Sequence, residues 1–219
     1  LKVKCLNSNS SFNASAGTTL ISAGDAFTLD LDGRRTAGAV NATVNISGGT
    51  LTNEGPTRFK NQIDDATIID ISGGSVDLQG PVAVKAGSGK LDLRVSGGEL
   101  IFQNNVTLES QDQITQSGNS TIRFQSTGAI QNDGIISCTD GTVSFEGTTT
   151  LLNNGDWQLN HVEITSGSTL DQSTASRVKA SGNWTNSGGT FTAGTNSITL
   201  NGSGTQTIDV SGNETFYDL

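Results

Sequence analysis

A column of apolar residues returns along this chain at Leu51, Val76, Leu100, Ile122, Val143, Leu170 and Phe191. Each follows an anchor residue, Thr50, Ser75, Glu99, Thr121, Thr142, Thr169 and Thr190, and successive anchors are 25, 24, 22, 21, 27 and 21 residues apart. Self-similarity at such a period marks a solenoid, in which one repeat cannot bury its apolar face alone and must stack on a copy of itself. The fold class this predicts is all-β: a single-stranded right-handed parallel β-helix, or β-solenoid, with coils of about 21–27 residues.

Alternation within each repeat supports strands. Three places after the anchors stand Leu78, Phe102, Phe124 and Phe145, and four places before them Ile46, Ile71, Val95 and Cys138, all of the parity that points inward. The opposite parity holds Thr52, Asp77, Arg123, Ser144, Asp171 and Thr192, with Ile101 as the apolar exception. Gly48-Gly49, Gly73-Gly74, Gly97-Gly98 and Gly188-Gly189 precede four of the anchors as turns. Asn132-Asp133-Gly134 and Asn153-Asn154-Gly155 lie 21 residues apart and read as stacked corners whose residue types tolerate positive φ. Trp157 and Trp184 each fall 15 places after an anchor, which predicts one above the other in neighbouring coils. An antiparallel sandwich also uses Asn-Gly turns between short strands, but it does not require one column to return coil after coil.

Composition decides order against disorder. The chain of 219 residues is only 32% hydrophobic and holds 28 Gly, yet its β-branched and aromatic residues come in short, evenly placed runs that disordered chains lack. No charge block or Pro-rich linker divides it, so residues 1–219 read as one solenoid segment, Leu1 to Asn45 as irregular first coils or a cap and residues 46–219 as regular coils. A net charge of −9 opposes nucleic acid as a partner, since that affinity needs clustered Lys and Arg. No run of about 20 apolar residues is present to insert in a membrane as a helix. The absence of Met points to a segment of a larger protein. Cys5 and Cys138 sit five or six coils apart in this scheme; at about 4.8 Å per coil that exceeds the roughly 7 Å Cα reach of a disulfide, so two free thiols are expected.

The stretch Asn183-Trp184-Thr185-Asn186-Ser187-Gly188-Gly189-Thr190-Phe191-Thr192-Ala193-Gly194-Thr195, followed by Ile198 to Ile208 and Thr215-Phe216-Tyr217-Asp218-Leu219, resembles the repeats of very large bacterial secreted surface proteins. These are similar to filamentous-haemagglutinin and autotransporter passengers. The resemblance is close over about the last 40 residues and looser over most of the chain. It implies an extracellular or cell-surface location, a right-handed parallel β-helix, and partners such as glycans or a host or neighbouring cell surface. It also implies continuation into a further strand beyond Leu219.

Chemistry-bearing residues are few. Asp64-Asp65 is the one carboxylate pair that suggests a polysaccharide-degrading acid and base, but adjacent strand residues point to opposite faces, and a solvated corner fits Ile63 to Thr67 better. No catalytic residue and no enzyme activity are expected. His161, the single histidine, has no His or Cys nearby to share a metal and reads as a surface imidazole. Asp30 and Asp32 share one strand face before Gly33 and are the candidate Ca²⁺ ligands, although the Gly-Gly-x-Gly-x-Asp calcium repeat is missing. Trp157 and Trp184 are the candidates for stacking on sugar rings, with burial as the default for an aromatic in a repeat column. Asp77, Arg123 and Asp171 interrupt the Thr ladder that ice binding would need. Asn-x-Ser/Thr triplets at Asn9, Asn13, Asn41, Asn45, Asn105, Asn119, Asn183, Asn201 and Asn213 carry no claim in so Asn- and Thr-rich a chain. The expected role is a non-enzymatic structural or adhesive module; a fibre or surface-layer subunit joined through coil ends is the second reading, and a carbohydrate-binding or carbohydrate-active β-helix the third.

Overall fold

The computed structural model describes residues 2–4, 10–21, 29–33, 41–61, 66–84, 90–153, 155–175 and 177–219. These residues form 25 strands and no helix, wound as a parallel β-solenoid of about 7 turns. Every pairing between strands is parallel, which excludes the antiparallel sandwich.

Most coils have three short strands. One coil runs through Lys90–Val95, Gly98–Phe102 and Val106–Leu108, and the next through Gln113–Gln116, Ser120–Phe124 and Ala129–Asn132. Each strand pairs with its counterpart one coil on, so three faces build up along the axis. The third face is a 9-stranded sheet; the first two are joined in a 16-stranded sheet. They join because Asn41–Asn53 and Ala66–Leu78 run through the corner between them without a break.

Glycine makes that corner possible. Gly74 and Gly98 have φ of 76° and 74°, a left-handed conformation that L side chains resist. Each is also pressed onto the coil beneath, and a Cβ built on Gly98 would lie 2.2 Å from the carbonyl oxygen of Gly74. The second corner signal works differently. Gly134 and Gly155 are not among the positive-φ glycines; they are needed because a Cβ would meet the carbonyl oxygens of Asp112 and Asn132 at 2.3 and 2.5 Å.

The predicted columns are present with one re-sorting. Leu51, Val76, Leu100, Ile122 and Val143 stack in register on the second face, all within 1% of complete burial. Beside them Leu78, Phe102, Phe124 and Phe145 align, and the three rings stack at centroid distances of 5.2 and 5.5 Å. After Val143, however, the column continues through Val162, Trp184 and Ile208, not through Leu170 and Phe191. Thr169-Leu170 and Thr190-Phe191 belong to the third face, where Thr169-Leu170 pairs with Thr148-Thr149 and Thr190-Phe191 with Thr169-Leu170. The advance from Val143 to Val162 is therefore shorter than any expected from the anchors, and the long advance from Thr142 to Thr169 does not occur on the second face. Within Leu1 to Asn45, Ser10–Ala14 and Thr18–Ile21 already pair in parallel with Asn41–Asn53, Asn13 meeting Asn45 and Thr18 meeting Thr50 across a longer loop of chain.

The first-face column reads Ile46, Ile71, Val95, Gln116 and Cys138. Gln116 is a polar intruder that uses its amide nitrogen to donate to the carbonyls of Ser120 and Thr142, at 2.8 and 3.1 Å. Cys138 is a buried free thiol, and burial pushes its pKa up to about 12. A Cys5→Ser variant is therefore expected to resist a thiol reagent at pH 8 while folded and to react within seconds once denaturant unfolds it. Prompt labelling of the folded variant would show that Cys138 reaches solvent. Cys5 lies outside the described residues.

Candidate functional site

Outward residues of the second face stand in two rows. One runs Glu99, Thr121, Thr142 and His161; the other runs Asp77, Ile101, Arg123, Ser144, Glu163, Thr185 and Asp209. Parallel pairing sets each row at about one residue per 4.8 Å along the axis, so every charge meets the rungs above and below it.

Those meetings are largely matched. Arg123 is ion-paired to Glu99 on the coil below and to Glu146 on the coil above. Glu146 also accepts from Gln125 at 2.9 Å and from Ser144 at 3.1 Å. Asp77 accepts from Gln79 and Gln103 at 2.9 and 2.8 Å. On the first face Asp92 accepts from Arg94 at 2.6 Å and from Gln113 at 2.8 Å.

Burial by itself raises the Glu146 carboxyl, but the hydrogen bonds from Gln125, Arg123 and Ser144 and the Arg123 charge outweigh it and hold its pKa below the ordinary 4.5. A carboxyl depressed in the folded state stabilises the fold above its unfolded pKa and loses that contribution as pH falls through the lower, folded value. Arg123→Met is accordingly expected to cost about 1 kcal/mol at pH 7, the upper end for a partly exposed pair, and almost nothing at pH 3. Denaturant melts at the two pH values measure it; an equal loss at both would mean the cost is apolar contact of the arginine stem. Asp112 has the opposite sign. Burial pushes its carboxyl up despite hydrogen bonds from the Leu91 and Glu109 amides at 2.8 and 2.7 Å, so it favours the fold at low pH and loses that contribution as pH rises.

Further along the second face the rows open into a shallow hollow lined by Thr142, His161, Val162, Glu163, Asn183 and Thr185. The local pattern His161-Val162-Glu163-Ile164 alternates outward and inward, which makes it a strand and turns His161 and Glu163 to solvent. Gly182 leaves room for the imidazole: a Cβ there would stand 2.7 Å from His161 Nδ1. The ring nitrogen Nδ1 accepts the Asn183 amide N–H at 3.0 Å, so Nε2 carries the ring's proton. Glu163 Oε2 lies 3.3 Å from the Ser144 hydroxyl, whose nearer acceptor is Glu146. Asn183 Oδ1 accepts the Thr207 N–H at 3.0 Å.

The other candidates fall elsewhere. Trp157 and Trp184 are each only 1% exposed, so neither indole presents a face to a sugar, and they do not stack on each other. Trp157 pairs in register with Ile136 and Val178 on the first face, and Trp184 with Val162 and Ile208 on the second. Trp184 packs edge-on against Phe191 and Phe216, and its Nε1 donates to Glu214 at 3.0 Å. Asp30 and Asp32 lie on Leu29–Gly33 of the third face, where register sets Asp30 between Lys2 and Arg58 and Asp32 between Lys4 and Lys60. Asp64 and Asp65 lie outside the described residues. Among the described residues no group of three or more His, Cys, Asp or Glu is placed to hold a metal ion, and no helix is long and apolar enough to cross a membrane. Asp171 stands on the third face between Thr150 and Thr192, away from Asp77 and Arg123.

The Glu99, Arg123 and Glu146 clamp and the partnership of His161, Glu163 and Asn183 were not predicted from the sequence. The signal was there in His161-Val162-Glu163-Ile164, whose alternation fits a strand, but the short step from Thr142 to His161 hides its place in the column. Comparison with family models, with curated proteins and with solved structures finds no match to this chain.

Proposed function

We propose that the chain is a non-enzymatic structural or adhesive module that a bacterial surface protein displays outside the cell. The observation that carries this reading is the division of labour across the wall of the solenoid. Inward, the large aromatic and aliphatic side chains are spent on one continuous core that ties each coil to the next. Outward, Thr, Ser, Gln and paired charges cover long faces of fixed spacing, which suits a rigid surface built for contact. The repeat phrase from Asn183 to Thr195 supports the bacterial surface setting by its resemblance to such proteins. The test is a cell- and glycan-binding assay run beside a polysaccharide hydrolysis screen. Binding without turnover is expected; turnover that Asp64→Asn or Asp65→Asn abolishes would overturn the non-enzymatic reading.

A second reading is assembly of such segments through coil ends, since a stack of parallel coils leaves unpaired backbone wherever it stops. Light scattering separates the two readings: growth in particle mass with concentration supports assembly, and a constant monomer mass opposes it.

A further inference from the structure

We propose that the hollow between the strands His161–Ile164 and Trp184–Asn186 binds a neutral sugar residue. The proposal rests on the adhesive half of the reading above and gives it a location and a ligand class.

The chemistry of the lining selects that class. His161 is pinned through Nδ1 by the Asn183 amide, which leaves Nε2–H as a fixed donor. Asn183 spends its side-chain oxygen on Thr207 and keeps its NH₂ to donate. Glu163 turns outward on its strand and offers its carboxylate oxygens as acceptors. The hydroxyls of Thr142 and Thr185 both donate and accept. Strand geometry spaces these groups about 4.8 Å apart across the rungs and roughly 6.6 Å along each strand. Donors and acceptors interleaved at that spacing suit a ligand whose rim carries several hydroxyls, each of which also donates and accepts.

Other ligand classes fit less well. Val162 is the only aliphatic residue in the lining and is 1% exposed, so an apolar ligand would gain little burial. No Lys or Arg lines the hollow, and residues 95–219 carry twelve Asp and Glu against three Lys and Arg, so phosphate, sulfate and acidic sugars meet repulsion. Glu163 is the only carboxylate there, too few for a hard cation.

His161 is the only histidine in the chain, so its imidazole signals in an NMR spectrum are assigned by residue type alone. The folded chain is titrated with the methyl glycosides of glucose, galactose, mannose and N-acetylglucosamine. At least one is expected to move the His161 ring signals saturably, with a millimolar Kd. The near-isosteric variants Glu163→Gln and Thr185→Val are each expected to weaken that binding roughly fivefold, the loss of about one hydrogen bond, with the thermal midpoint unchanged. Ring signals that stay still with all four probes overturn the site, and so does binding that both variants leave intact. Glycan binding that moves other residues while His161 stays still removes this site and leaves the adhesive reading standing; absence of glycan and cell binding together removes both.

Discussion

Gly98→Ala is expected to destabilise the protein by roughly 3 kcal/mol or more. Two costs combine. An L residue held at φ of 74° loses about 1–2 kcal/mol against glycine. The new Cβ would also sit 2.2 Å from the Gly74 carbonyl oxygen, and because that neighbour is backbone in the adjacent coil, relief requires two coils to part. Coils hold only their neighbours, so the damage should fall on the coupling between the coils of Gly74 and Gly98 and split the denaturation curve into two phases. Gly212→Ala is the control, since nothing lies within 4 Å of where its Cβ would stand and its φ is ordinary; it should stay within about 0.5 kcal/mol of the parent. Equal small losses in both variants would show that the corner is not held as described.

Phe124→Ala should cost about 3–5 kcal/mol in a denaturant melt, the range for emptying a buried aromatic site. Phe124 is the middle ring of three, stacked on Phe102 and Phe145 at interplanar angles of 10° and 16°, and it meets the edge of Trp157 from another face at 6.5 Å. Its removal therefore breaks the stack in both directions along the axis and one contact across it. Collapse of the tube to fill the space is resisted by backbone pairing above and below, which places the loss in the upper part of that range. A loss under about 1 kcal/mol would mean that the three rings are not stacked in solution.

How far the fold could be read from residues is clearest in particular columns. Phe102, Phe124 and Phe145 were legible because the coil length barely varies there and ring follows ring at one parity. Trp157 and Trp184 were not. Their equal distances from Thr142 and Thr169 suggested one column, but Thr169 lies on the third face, so equal offsets led to different places. The Asn-Gly corners stacked as spacing implied, yet the demand on glycine there is close approach and not positive φ, a distinction residue type cannot make. For the candidate site, His161 was visible only as a lone imidazole. Its partners Glu163, Asn183 and Thr185 come from two coils, and their proximity depends on a short step from Thr142 to His161 followed by a longer one from Val162 to Trp184.

Sequence alone determined that the strands stack in parallel and which side chains turn inward, because a period of two within each run and a return once per coil leave little choice. Tertiary structure decided which of three faces each run occupies. Alternation reports inside against outside and is the same on every face, so Thr142-Val143 and Thr169-Leu170 look alike as residues. Only the backbone hydrogen-bond register, set by how many residues each corner consumes, sends one to the second face and the other to the third.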